Sequence, residues 1–303
     1  LGEGMIEISP RIGETGMVGY GGDVLNVCVA LARFGLSPCF MTALGRDPWS
    51  EELLEAWVAE GVDCGMIARH PTRLPSLYAI RTDPSGERSF GYWRSEAAAR
   101  ALFEIEETAG LIARAQQADL FFLSAITLSL YDAAGREKIA AIAQAVRARG
   151  GMVAFDGNYR PRGWSDAAAA REACARFAPH VTLALPTLGD EIMLHGPDET
   201  AQSVIRRWQD AGACEVVVKL GAEGAMIADR ETDPSLVPAD QVDAIIDTTG
   251  AGDAFDAGYL AARLAGRSSV EAARFGHRLA SVTIRHRGAI PPAQAVADIQ
   301  IGA

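Results

Sequence analysis

Apolar and polar positions alternate along the chain in two rhythms. Short apolar runs predict strands, and longer Ala-rich segments with apolar positions at helical spacing predict amphipathic helices. The predicted strands are 4–8, 38–43, 119–123, 152–156, 181–185, 215–219 and 225–228. The predicted helices are 23–35, 49–60, 101–115, 135–149, 168–177, 199–211, 251–265 and 269–286. Strands that alternate with helices predict an α/β fold, a doubly wound and largely parallel sheet with helices on both faces.

One region breaks this rhythm. Leu77–Arg81 and Arg88–Trp93 are alternating runs rich in aromatic residues, and they flank a turn sequence, Thr82-Asp-Pro-Ser-Gly-Glu. Such a pattern predicts a β-hairpin. We therefore expect a small β lid built from residues of about 72–97. The Gly-rich segment 11–20 is expected to add another lid strand just after the first strand of the sheet.

Composition and charge narrow the class of protein. The 303 residues are 49% hydrophobic and 22% charged, which is typical of a globular protein. This length allows either two average domains or one large α/β domain with an appendage. The 28 Lys and Arg against 39 Asp and Glu give a net charge of −11. This charge disfavours nucleic acid and anionic membranes as partners, so a bound polyanion must be held by local donors.

Cysteine use and hydropathy predict the compartment. The five cysteines are never closer than eleven positions apart, so the chain has no CxxC pair or zinc knuckle, and a reduced cytoplasmic protein is expected. The longest apolar stretch, Leu120 to Leu130, is interrupted by hydroxyl residues and is too short to span a bilayer.

The strongest motif is Asp247-Thr-Thr-Gly-Ala-Gly-Asp-Ala-Phe, in which Gly250, Ala251 and Gly252 open a predicted helix. Free backbone N–H groups at a helix start, left uncovered by glycines, form a cradle for a phosphoryl group. Asp253 lies beside that cradle, where a carboxylate can take a proton from an attacking hydroxyl. A plain helix-capping role for Asp253 is the alternative.

This string resembles the C-terminal signature of the PfkB, or ribokinase-like, family of carbohydrate kinases. The other family signature is matched by Gly21-Gly-Asp-Val-Leu-Asn and by Ala43-Leu-Gly-Arg-Asp. The resemblance implies one kinase domain over residues 1–303, a ribokinase-like Rossmann-type core with a β-sheet lid, and ATP and Mg²⁺ as cofactors, with a monovalent cation as an option. It also implies that Gly21, Gly22, Asp23 and Asn26 bind sugar hydroxyls, although Asp23 could simply cap a helix.

The middle of the chain resembles the 2-keto-3-deoxygluconate kinase branch of this family, on the strings Leu77-Tyr-Ala-Ile-Arg-Thr-Asp, Glu87-Arg-Ser-Phe-Gly-Tyr-Trp-Arg and Phe155-Asp-Gly-Asn-Tyr-Arg. That likeness implies ATP-dependent phosphorylation of this sugar acid at its 6-hydroxyl. The substrate contacts it implies are Tyr78, Tyr92, Arg94 and Arg160, and two arginines suit a carboxylate. The alternatives are another PfkB sugar kinase, such as a fructokinase or ribokinase, and a sugar-binding protein without catalysis on the same fold.

The remaining expectations concern the nucleotide, the metal and assembly. By resemblance, the nucleotide is placed near Lys219, Gly221, Gly224, Gly250, Gly252, His277 and Ser281. Lys219 could instead be an ordinary strand-end lysine, and His277 a packing residue. Where the family carries Asn-x-x-Glu, this chain has Pro186-Thr-Leu-Gly-Asp-Glu, so Asp190 or Glu191 is expected to hold Mg²⁺ through water. Arg160 is the candidate for extra positive charge in catalysis, and the aromatic lid strands suggest a homo-oligomer.

Overall fold

A computed structural model describes residues 1–8, 16, 18–82, 88–229 and 233–301. The strands are β1 (Met5–Ile8), β2 (Val18–Gly21), β3 (Thr42–Leu44), β4 (Ile67–Arg69), β5 (Ser76–Thr82), β6 (Arg88–Trp93), β7 (Leu120–Ser124), β8 (Met152–Asp156), β9 (Leu183–Ala184), β10 (Glu215–Lys219), β11 (Ala225–Asp229) and β12 (Ser235–Val237). The helices are α1 (Asp23–Arg33), α2 (Pro48–Ala59), α3 (Thr108–Ala115), α4 (Ala125–Ser129), α5 (Ala133–Ala148), α6 (Ala167–Phe177), α7 (Leu188–His195), α8 (Ala201–Ala211), α9 (Ala251–Leu264), α10 (Ser269–Thr283) and α11 (Ala293–Val296).

The main sheet has the strand order β12-β11-β10-β9-β8-β7. Strands β7 to β10 are parallel, and β11 and β12 extend the sheet in antiparallel pairs. Side chains alternate between its faces: Phe121 and Leu123 belong to one buried cluster with α5 and α8, whereas Phe122 belongs to a second cluster with α1, α9 and α10. Apolar side chains on both faces explain why these strands are continuous apolar runs, and the predicted doubly wound α/β core is confirmed.

A second sheet of four strands, in the order β2-β1-β5-β6, lies over one end of the core. Strand β1 runs parallel to β5 and antiparallel to β2, and β5 and β6 pair as antiparallel strands with Tyr78 opposite Tyr92. The prediction that residues 4–8 form the first strand of the main sheet is wrong. The sequence Met-Ile-Glu-Ile alternates, so Glu7 faces Tyr78 on one side of a small sheet while Ile6 is buried on the other. Residues 11–15, Met17 and the turn at 83–87 lie outside the described residues.

Several element boundaries also differ from the predictions. The helix predicted at 101–115 is a 3₁₀ segment at Ala98–Glu104 followed by α3, because Ile105 is extended and interrupts the helical backbone. The strand predicted at 38–43 is reduced to β3, which begins at Thr42 and forms a two-stranded sheet with β4. The described residues contain no helix that is both long and apolar enough to cross a membrane.

Candidate active site

A cleft of about 1910 Å³ lies between the small sheet and the carboxyl ends of the main-sheet strands. It brings together most of the residues singled out in the sequence. Those on its wall are Gly22, Asp23, Asn26, Tyr78, Tyr92, Arg94, Arg160, Asp190, Lys219, Gly221, Gly224, Gly250, Ala251, Gly252, Asp253, His277 and Ser281. Gly21 stands just behind this wall, where a Cβ would lie 2.5 Å from the Tyr78 hydroxyl. Glu191 is not on the wall of this cleft.

Helix α9 begins with free backbone donors. Gly250 precedes the helix with a φ of +74°, and a Cβ there would lie 2.5 Å from that of Ala289, so only glycine fits this turn. The Ala251 N–H donates to the Thr248 carbonyl at 3.2 Å. Within the described part of the chain, nothing accepts from the N–H groups of Gly252 and Asp253. These amides are free to donate to an anion, as the predicted cradle requires.

Asp253 stands in the first turn of α9. Asn26 Nδ2 donates to its Oδ2 at 2.7 Å, which ties the C-terminal motif to the N-terminal one. Burial raises the pKa of Asp253 to about 7, and repulsion from the Asp23 carboxylate adds to the rise, while the Asn26 hydrogen bond opposes it. A carboxyl group with this pKa exchanges a proton readily near neutral pH, as a general base requires.

The floor of the cleft is the start of α1. Gly22 has a φ of +153°, and a Cβ there would lie 2.1 Å from the Glu3 carbonyl oxygen. Asp23 accepts hydrogen bonds from the Ser124 hydroxyl and, at 3.1 Å, from Asn158 Nδ2. Burial raises the pKa of Asp23. Gly22 occupies the N-cap position of α1, so Asp23 is the first residue of the helix, and its side chain is directed to Ser124 and Asn158.

The small sheet forms the opposite wall. The rings of Tyr78 and Tyr92 lie 6.1 Å apart, and the Tyr78 hydroxyl donates to Glu7. Arg94, directly after β6, makes an ion pair with the buried Glu3 carboxylate, and the Ser76 hydroxyl also donates to Glu3. Both tyrosines and Arg94 thus reach the cleft, but Arg94 already faces a negative charge.

Beneath the cradle is a buried ion cluster. Lys219 Nζ lies 3.0 Å from Asp156 Oδ1 and 2.9 Å from both carboxylate oxygens of Asp256. Burial lowers the pKa of Lys219, but the two carboxylates outweigh that effect and raise it. Lys219 is therefore a buried cation at the end of β10 that two carboxylates compensate. Sequence reasoning missed Asp156 and Asp256, although Asp256 follows Asp253 by one helical turn.

The acidic pair at the start of α7 divides between two places. Asp190 lies on the cleft wall with Arg160 Nη1 at 3.2 Å, and burial raises its pKa. Glu191 accepts from Arg207 Nη2 at 2.5 Å and from Trp208 Nε1 at 3.3 Å, beside a separate cavity of about 140 Å³. Of the two, the structure brings only Asp190 to the site.

The far end of the cleft carries the residues expected near a nucleotide base. Gly224 has a φ of +117°, and a Cβ there would lie 2.1 Å from the Val237 carbonyl oxygen. His277 Nε2 contacts that same oxygen at 3.2 Å, and its ring packs 4.9 Å from that of Phe255. The Ser281 hydroxyl donates to the Arg278 carbonyl at 2.8 Å. These contacts fix the side chains of His277 and Ser281 on one wall of the cleft.

Comparisons with known proteins agree with this geometry. The chain is 41% identical to the 2-dehydro-3-deoxygluconokinase of Escherichia coli K12 over 98% of its own length and 97% of that protein's. Its structure resembles a PfkB protein from Polaromonas sp. JS666, with a TM-score of 0.83, 27% identity and coverage of 98% and 97% of the two chains. It also resembles a fructokinase with bound ATP from Xylella fastidiosa, with a TM-score of 0.83, 25% identity and coverage of 98% and 96%. A profile of pfkB family carbohydrate kinases matches residues 7–296, and the chain belongs to that family.

Proposed function

We propose that this protein transfers the γ-phosphoryl group of ATP to the 6-hydroxyl of 2-keto-3-deoxygluconate, the sugar acid also called 2-dehydro-3-deoxygluconate. The observation that carries the proposal is the placement of Asp253, hydrogen-bonded to Asn26 and adjacent to the free amides of Gly252 and Asp253 itself. The similarity to a 2-dehydro-3-deoxygluconokinase over nearly the whole chain supports the choice of substrate.

In the proposed mechanism the sugar acid lies on the floor made by Gly21, Gly22, Asp23 and Asn26. Asp253 accepts the proton of the attacking hydroxyl, and the cradle amides stabilise the charge that develops on the transferred phosphoryl group. Closure of the small sheet over the cleft excludes water from the reaction. Arg160 at the cleft edge adds positive charge near the phosphates.

The residues present fit a magnesium ion that arrives with the nucleotide. Among the described residues no cluster of three metal-ligating side chains occurs, and Asp190 provides a carboxylate on the cleft wall. Mg²⁺ commonly keeps several waters and binds through one carboxylate and substrate phosphates. We propose that Asp190 holds it through water, where the ion neutralises phosphate charge.

Gly221, Gly224, His277 and Ser281 are proposed to border the adenine and ribose of ATP. At Gly221 no described atom beyond its chain neighbours lies within 4 Å of the place that a Cβ would take, so a base can approach the backbone there. The similarity to a fructokinase solved with bound ATP supports ATP as a ligand of this chain.

Assembly and environment are proposed on separate grounds. Val18 and Trp93 are exposed by 60% and 63% on the face of the small sheet turned away from the cleft, so we propose a homo-oligomer formed through this lid. The five unpaired cysteines suit the reducing cytoplasm. Light scattering of the wild type and of Trp93→Glu tests the assembly.

A monovalent cation is a further option for this kinase. A comparison of turnover in potassium salts with turnover in tetramethylammonium salts tests it.

The test of the function is a panel of sugars and sugar acids assayed with Mg·ATP by ADP release. The proposal expects the highest kcat/KM with 2-keto-3-deoxygluconate and production of its 6-phosphate, and Asp253→Asn should abolish ADP release without abolishing sugar binding. A preference for fructose or ribose would replace the assignment with that of a neutral-sugar kinase. Sugar binding without phosphate transfer would leave a binding protein.

A further inference from the structure

The buried ion cluster beneath the cradle contains one acid more than its cation requires. Lys219 Nζ lies 3.0 Å from Asp156 Oδ1 and 2.9 Å from both oxygens of Asp256, so one ammonium faces two carboxylates. A single carboxylate would neutralise the lysine, and a buried ion pair adds little stability over apolar residues of the same shape. Compensation of charge therefore does not explain why Asp256 is present.

The three side chains differ in their access to the cleft. Lys219 and Asp156 line its wall, whereas Asp256 is fully buried and does not line it. Asp256 lies on α9 one helical turn after Asp253, at the spacing that places two side chains on the same face of a helix. Asp256 thus has no contact with a ligand in the cleft and acts on the site through its neighbours.

The ammonium is the charged group of the cluster that lies nearest to the cradle. Lys219 Nζ is 3.7 Å from the position that a Cβ on Gly252 would take, and the carboxylate oxygens of Asp156 and Asp256 are both more distant than 4 Å. The Coulomb interaction between two charges weakens with the distance between them. A phosphoryl group on the cradle would therefore meet the positive end of the cluster first.

The same cluster places charges of both signs around Asp253. The titratable groups that interact with its carboxyl are Asp23 on α1, Tyr78 on β5, Asp156 on β8, Lys219 on β10 and Asp256 on α9 itself. Burial and repulsion from Asp23 and Asp156 raise the pKa of Asp253, and the Lys219 ammonium opposes them. Asp190 on α7 is a further acid that interacts with Lys219. Lys219 is the cation among these groups, so its position decides how strongly the acids act on Asp253.

We propose that Asp256 is a positioning residue of the phosphoryl transfer, which holds the Lys219 ammonium beneath Gly252 and so directs its positive charge to the cradle. The inference rests on the proposed function and adds a residue to its machinery. A lysine side chain is a flexible four-carbon chain, and binding of Nζ by both oxygens of Asp256 restricts it to one location. A charge that is already in place stabilises a transition state without rearrangement during the reaction.

The first experiment measures kcat/KM against pH by ADP release, with the sugar that the wild type phosphorylates best. Asp256→Asn keeps the shape and removes one negative charge near Asp253, so we expect the midpoint of the profile to fall by about 0.5 to 1 in pH. Glu215→Gln is the matched control and should leave the midpoint unchanged. Glu215 also joins β10 to α9, through Tyr259 and Arg263, but from the other end of β10 and away from the cleft.

The second experiment uses the double variant Lys219→Gln/Asp256→Asn. Two amides of similar size replace the ion pair and can still hydrogen-bond to each other, so the net charge of the cluster is unchanged. We expect kcat at pH 8 to fall at least about 10-fold while the KM for the sugar changes less than about 3-fold, because the charge at the cradle is lost and the sugar floor is not. A purely structural ion pair would leave kcat unaltered.

The inference is overturned, while the proposed function stands, by any of three results. These are a wild-type midpoint in Asp256→Asn, an equal shift of the midpoint in Glu215→Gln, and a wild-type kcat in the double variant. Thermal denaturation of each variant identifies a folding defect, and if Asp256→Asn fails to fold, the double variant decides the matter. A wild-type protein that transfers phosphate to no sugar would refute the proposed function, and this inference with it.

Discussion

Replacement of Asp253 by Asn should make the protein more stable while it removes catalysis. Burial raises the pKa of Asp253 from 3.8 to about 7, so at pH 8 the folded protein holds a carboxylate that the unfolded chain would accommodate better in water. A difference of about 3 in pKa corresponds to ~4 kcal/mol at about 1.4 kcal/mol for each factor of ten in proton affinity. The side chain is partly open to the cleft, so we expect a gain of about 1–3 kcal/mol for Asp253→Asn at pH 8.

The raised pKa of Asp253 fixes the direction in which the stability of the folded protein changes with pH. Between pH 4 and 7 the folded protein binds a proton at Asp253 that the unfolded chain does not, so the stability of the wild type falls as the pH rises through this window. Below about pH 4 both states carry the proton, and the advantage of the Asn variant disappears. The variant keeps an amide oxygen to accept from Asn26, so the hydrogen bond across the motifs survives.

Urea denaturation of both proteins from pH 4 to 8, together with kcat at pH 8, measures this prediction. The expected kcat falls by about 10²- to 10⁴-fold. Asp240→Asn is the control, because this carboxylate lines the cleft but is exposed. A stability difference that is zero, or that does not change with pH, would show that Asp253 is not held at an energetic cost, and the argument for a base with a pKa near 7 would fail.

Three further results are expected. The kcat/KM of the wild type should rise with pH and level off above about 7, as the Asp253 carboxylate loses its proton, and a flat profile from pH 5.5 to 8 would contradict this. Gly252→Val should fold normally, because among the described atoms its Cβ meets only Lys219 Nζ, at 3.7 Å, but its kcat should fall at least about 10-fold because the side chain obstructs the cradle. Gly250→Ala should instead lower the melting temperature, because its Cβ would overlap Ala289. ATP binding measured by calorimetry should require Mg²⁺ and weaken only modestly between 50 and 300 mM salt, and tight metal-free binding that collapses with salt would indicate a basic patch instead.

The parts of the site that could be predicted from sequence are those where the backbone conformation restricts which residue can occupy a position. Gly250 and Gly22 have positive φ values and stand where any Cβ would overlap a neighbour, so glycine is required and the motif is visible. The buried apolar runs of β8 and β10 are visible for a similar reason, since strands covered on both faces carry almost no polar residues.

The partners of charged residues could not be predicted in the same way. Glu3 meets Arg94, and Lys219 meets Asp156 and Asp256, across long separations in sequence that only the folded topology closes. No local spacing marks such pairs, and single charged residues are most often solvated. The presence of cationic side chains near the site could therefore be predicted, but not which of them are neutralised by acidic residues.

The ion pair between Glu3 and Arg94 has a mechanical consequence. Glu3 precedes β1, its carboxylate binds Ser76 at the start of β5 and Arg94 just after β6, and its carbonyl packs on Gly22 of the cleft floor. Three strands of the small sheet thus meet at Glu3, and Glu3 contacts the floor of the cleft, where we propose that the sugar binds. A rotation of the small sheet about Glu3 must therefore push on the floor of the cleft or move away from it. Binding of a ligand on the floor is for this reason mechanically coupled to the position of the sheet.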